Sequence, residues 1–145
     1  MSSPEAALVW FLKGSGNSPA GSAVTAIVGS RIYWDVLPQG VTYPALRLQR
    51  ISTTYSEFRS VNAPADYAQP RFQIDCWALD RLKAVDLAQA VFDAVEMAYG
   101  IVGDIRVDPI SVEDEAGDLE EGIGPNGAHV YRQRLDVFVP YTAAA

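Results

Sequence analysis

The chain opens with apolar residues at helical spacing. Leu8, Phe11 and Leu12 fall at i, i+3 and i+4 with Trp10 on their flank, which lays one buried stripe along a helix. Ser3-Pro4-Glu5 supplies the start: a hydroxyl able to cap, a proline pre-set for the first helical position and an acid near the positive end of the dipole. The pattern predicts a short helix to about Lys13. A polar, flexible loop over Gly14–Gly21 follows, then a second short helix from Ser22 to Val28 that Gly29 ends, because glycine accepts the left-handed conformation required there.

After Ile32-Tyr33-Trp34 and a turn set by Pro38 and Gly40, Pro44 forces extended geometry, and the period changes to two. Pro44 to about Phe58 and Ala68 to about Leu79 predict two strands joined by a long loop, 59–67. In the second, Phe72, Ile74, Cys76 and Ala78 alternate with Arg71, Gln73, Asp75 and Trp77, the pattern of a sheet with one face on the core. Asp80 is placed to cap a helix over Arg81–Tyr99, in which Val85, Ala88, Val91, Phe92, Val95 and Tyr99 share helical spacing before Gly100. At 1.5 Å per residue it spans about 28 Å, enough to cross a four-stranded sheet.

Asp104 to Asp114 reads as a third strand whose parity shifts around Pro109, marking a bulge or an edge. Val130 to Tyr141 is the fourth, with Leu135, Val137 and Val139 on one face and Arg132, Arg134 and Asp136 on the other. The order α, α, β, β, α, β, β predicts an α+β fold over residues 1–145 as one domain: a four-stranded, mainly antiparallel sheet, one long helix packed on it and two short N-terminal helices.

Composition narrows what such a domain can do. At 145 residues and 49% hydrophobic content it can bury a core, and a disordered chain is excluded. The net charge of −7, from 18 acidic and 11 basic side chains, argues against a surface that grips phosphates. DNA can still pass through an acidic ring without being held. Cys76 is the single cysteine, so an intrachain disulfide and a thiolate cluster are excluded, and its alternation points it inward, inert. With neither a leader-like N-terminus nor a run approaching 18 apolar residues, the expectation is a soluble protein made in the cytoplasm.

Candidate chemistry is sparse. His129 is the sole histidine, which removes two-histidine metal sites and leaves any triad dependent on one residue beside a glycine-rich loop; its ordinary reading is an exposed strand-end residue. Glu113, Asp114, Glu115, Asp118, Glu120 and Glu121 concentrate a third of the acids in nine residues. Their spacing does not match a calcium loop, and paired carboxylates for glycoside cleavage need a fixed pocket. The segment reads as a solvated, mobile loop, with a lumen-facing or partner-facing charge patch as the functional alternative. Arg59 and Asp66, on the other long loop, are candidates for the same role. Arg71, Arg132 and Arg134 either pair across strands with Asp75 or Asp136, or join Trp77 and Phe138 in a subunit interface. Neither catalytic residues nor a metal or cofactor are expected. The rival from another class is a small hydrolase using the carboxylates of the acidic segment.

Four stretches carry a resemblance: Val28-Gly-Ser-Arg-Ile-Tyr33; Leu37-Pro-Gln-Gly40; Tyr43-Pro-Ala-Leu-Arg-Leu-Gln-Arg50; and Phe72-Gln-Ile-Asp-Cys-Trp-Ala78. With the final strand Tyr131–Phe138, they make residues 4–141 similar to the phage tail-completion, or head-to-tail joining, family. The resemblance implies a small α+β subunit without catalytic residues that forms a ring, a hexamer, at the head-proximal end of a tail tube. Its implied partners are further copies of itself, the tail tube protein and a head-completion or neck protein, within the virion. A head-closure, neck or minor tail protein is the alternative within the same class.

Overall fold

In the computed structural model, which describes residues 3–17, 19–55, 68–120 and 125–143, the predicted apolar stripes converge on one core. Helix α1 (Pro4–Leu12) begins as its sequence requires, with Ser3 Oγ accepting the Ala6 N–H at 3.1 Å. Leu8, Phe11 and Leu12 are fully buried, and Trp10 meets Phe11 edge-on at 5.2 Å. Helix α2 (Gly21–Val28) ends at Gly29 with φ 59°. The loop between them is tied at its ends. A Cβ on Gly21 would lie 2.3 Å from both Gly14 N and Phe11 O, so the backbones pass where only glycine fits.

The strands are β1 (Ile32–Trp34), β2 (Ala45–Tyr55), β3 (Ala68–Ala78), β4 (Gly100–Val102), β5 (Ile105–Val107), β6 (Ser111–Glu120), β7 (Val130–Phe138) and β8 (Tyr141–Ala143). The expected four-stranded sheet is thus an eight-stranded mixed one. Its four long lanes are nevertheless recognisable. β2 pairs antiparallel with β3, and β3 with β7 and, at one residue, β8. β6 pairs with β7 and β5 with β8. The third and fourth lanes are interrupted near Pro109 and Pro140, which lack the N–H a ladder needs, yet Asp108 N still donates to Pro140 O at 2.9 Å. Short strands complete the margins: β1 parallel to β2, and β4 antiparallel to β5.

Helix α3 (Arg81–Val95) packs on β3 and β7 and is capped by Asp80, whose Oδ1 accepts the Leu82 N–H at 2.8 Å. It stops four residues before the expected Tyr99. Glu96 turns extended and its carboxylate accepts the Val112 N–H at 2.7 Å, while Met97 takes φ 64°. Residues 97 and 98 then bond to Ile110 in both directions, through Met97 N to Ile110 O and Ile110 N to Ala98 O. These tertiary bonds replace another helical turn, and Tyr99, expected on the buried stripe, is 54% exposed.

The acidic segment departs furthest from expectation. Glu113 to Glu120 is strand, not mobile loop, and pairs along β7 with a register shift between Val112 and Asp114. Asp118 stands opposite Arg132 and pairs with it at 2.9 Å, Arg134 reaches the same carboxylate at 3.9 Å, and Gln133 donates to Glu115, although Asp114 faces the like-charged Asp136. An opposite charge directly across a ladder stabilises it, and at Asp118 this offsets the poor strand propensity of an acid.

Candidate assembly surface

The register gathers all five predicted interface residues on one face of the sheet. Trp77 lies opposite Arg132, Arg71 opposite Phe138, and Asp75 opposite Arg134, with Arg47 of β2 on the other side of Asp75. Period two sends these side chains away from Phe72, Ile74 and Cys76, which are fully buried with α3 in the core. Strand alternation therefore predicted the side of the sheet they occupy.

Their partners are largely within the chain. Asp75 is fully buried, and both its oxygens are used: Arg47 Nε donates to Oδ2 at 2.8 Å and Gln73 Nε2 to Oδ1 at 2.9 Å. Arg71 pairs with Asp136 at 2.9 Å, the cross-strand pairing expected from sequence. Arg132 holds Asp118 at 2.9 Å and stacks over Trp77 with its guanidinium carbon 5.4 Å from the ring centroid. Arg134 reaches Asp118 at 3.9 Å. Trp77 is only 6% exposed, and its indole N–H finds no hydrogen-bond partner among the described residues.

Of the predicted lumen or axial residues, Glu113, Asp114 and Glu115 are exposed on β6, whereas Asp118 is drawn into the arginine pairs. Glu113 accepts from Ser111 Oγ at 2.7 Å and Glu115 from Gln133 Nε2 at 2.6 Å. Glu120 pairs through its backbone with Val130. Arg59, Asp66 and Glu121 lie outside the described residues.

Two further features lie outside the sequence expectations. Past the end of α3, Met97, Tyr99 and Ile101 are 59%, 54% and 64% exposed, beside a cleft of about 460 Å³ lined by Tyr99–Ile101 and Arg106–Pro109. A second cleft, about 480 Å³, lies between the 37–43 turn and Pro125. Helical spacing had absorbed Tyr99 into α3; the close pair Gly100 and Gly103, both at positive φ, was the available sign of a hairpin instead.

Reactive groups among the described residues do not converge. Among the described residues, no group of three or more His, Cys, Asp or Glu is placed to hold a metal ion. His129 is exposed just before β7. Burial pushes the Cys76 thiol well above its usual range, and the negative charges of Asp75 and Glu115 push it further, which suppresses the reactive thiolate. Among the described residues no helix is long and apolar enough to cross a membrane.

No curated protein sequence matches this chain. Among solved structures, a chain from the virion of a native gene transfer agent particle aligns over 93% of this chain and 91% of its own, at TM-score 0.61 and 15% identity, a likeness of fold. A second aligns over 92% and 94% at 14% identity but superposes only loosely, with a TM-score of 0.43. The sequence pattern of tail completion protein gp17 matches residues 20–139, and the chain therefore belongs to that family of virion structural tail proteins, which is not an enzyme family.

Proposed function

We propose that this chain is the repeating subunit of a hexameric ring, a tail terminator that caps the tail tube and joins it to the head or neck of a tailed phage or phage-like gene-transfer particle. The observation that carries this reading is the family match over residues 20–139; the likeness of fold to the gene transfer agent chain supports it. Its partners are other copies of the chain, the tail tube protein and a head-completion or neck protein.

Charge gives the ring reading a physical content. A net charge of −7 and the exposed acids Glu113, Asp114 and Glu115 on β6 suit a wall or rim past which DNA moves without being retained, since release of counterions by bound cations is the main source of nonspecific affinity. The same strand, with the 59–67 segment, is the candidate for the lumen or an axial neighbour. The outer sheet face is a candidate subunit contact, through Arg71, Arg134 and Phe138 with Arg132 and Trp77 beneath. Imaging of purified particles carrying a labelled subunit tests the position. Uniform rings at the head-tail junction are expected; a subunit absent from particles, or spread along the tail, would sink the reading.

A further inference from the structure

Two groups of exposed apolar side chains sit at opposite ends of α3. Leu79, Leu82 and Val85 flank its start at 46%, 72% and 39% exposure, and Met97, Tyr99 and Ile101 follow its end. The 15-residue helix between them is about 22 Å long, so the two groups of one copy do not meet. Their shapes differ. Leu82 and Val85 protrude from one helical turn, whereas Tyr99 and Ile101 line the 460 Å³ cleft with Arg106, Val107, Asp108 and Pro109. Ile101 and Arg106 are direct cross-strand partners, and a Cβ on Gly100 would meet nothing within 4 Å, leaving the adjoining backbone open.

The charges beside the two groups are complementary. Lys83 and Asp86, both exposed, are one helical turn apart, roughly 5–6 Å. On the cleft wall Arg106 and Asp108 lie two residues apart, roughly 6.6 Å in extended chain, with side chains 61% and 39% exposed and only a 3.7 Å approach to each other. In the orientation that sets Lys83 against Asp108, Asp86 would come against Arg106, because the two charge pairs have similar spacing.

We propose that the Leu82–Val85 turn of one copy seats in the Tyr99–Ile101 cleft of the next, a head-to-tail contact between copies of this chain. It rests on the ring reading and names where the ring is joined. Because the two surfaces are unlike, the contact leaves a free stripe at one end and a free cleft at the other, and repeats until the rotation closes.

The test uses the full chain in sedimentation velocity across a concentration series. Wild-type protein should assemble with concentration. Leu82→Glu and Ile101→Glu should each weaken assembly by about tenfold or more while keeping the melting curve of dilute, unassembled wild type, since both side chains are exposed. The decisive measurement is their equimolar mixture: L82E keeps its cleft and I101E its stripe, so one intact contact forms and growth stops at a 1:1 heterodimer. Arg106→Glu should weaken assembly, and adding Asp86→Arg should restore it. Either apolar variant assembling like wild type, a mixture that stays monomeric, or a wild-type chain monomeric throughout would overturn the contact. Particle imaging judges the ring separately: rings built equally well by L82E and I101E leave the ring standing and remove only this joint.

Discussion

The two faces of β3 are buried by different physics. On one, Phe72, Ile74 and Cys76 are removed from water by α3 and the other helices, so apolar transfer and close packing stabilise it. On the other, Asp75 and Trp77 are nearly as inaccessible, yet what surrounds them is a ladder of arginines and acids. The first face needs volume to be filled. The second needs every charge to keep its partner, because a buried charge left alone is costly while a satisfied pair adds little. A sheet whose second face pairs most of its charges internally presents a polar surface to neighbours, while exposed apolar groups remain at the ends of α3.

Substitutions that separate volume from charge test this contrast. The largest loss is expected from Phe72→Ala, about 3–5 kcal/mol by denaturant unfolding, since the ring is fully buried and the site cannot collapse completely. Asp75→Ala should cost about 2–3 kcal/mol. That is below the penalty for a fully enclosed pair, because the Arg47 side chain keeps 23% of its exposure. If Asp75→Ala costs as little as a surface change, the outer face is not held by its charges.

Cys76 joins the faces, being packed on the apolar side while Asp75 and Glu115 raise its pKa further. The folded protein holds the thiol proton to higher pH than the unfolded chain. The stabilisation is therefore complete below the unfolded value of about 8.5 and is lost as pH rises from there through the folded value, by up to about 1.4 kcal/mol per pH unit. Cys76→Val should remove that slope, and thiol reagents should label wild-type protein only on unfolding. The smallest effect is expected for Arg71→Ala, about 0.2–1 kcal/mol and diminished by salt, because its side chain is 42% exposed in the Asp136 pair.

Much of this contrast was legible one strand at a time. Alternation in β3 sorted Arg71, Gln73, Asp75 and Trp77 from the core residues, and helical spacing with a capping Asp80 located α3. Alternation states which way a side chain points, however, not what waits there. Arg71 with Asp136 was foreseeable, whereas the pairing of Asp75 with Arg47, 28 residues earlier in the chain, depends on the β2–β3 register. The acidic segment makes the same point more strongly: read alone, it has the composition of a solvated loop, and opposite β7 it is a strand.

Local sequence suffices for one set of commitments: the capped starts of α1 and α3, the inward stripe of β3, a single inward cysteine and the family the chain resembles. These follow from periods of 3.6 and 2 and from capping groups within a few residues of one another. Tertiary structure decided the end of α3, the conversion of the acidic run to strand, the parallel addition of β1 and the exposure of Met97, Tyr99 and Ile101. Each depends on partners distant in the chain, such as Glu96 with Val112 or Asp118 with Arg132, whose hydrogen bonds and charges override local preference only once the lanes of the sheet stand side by side.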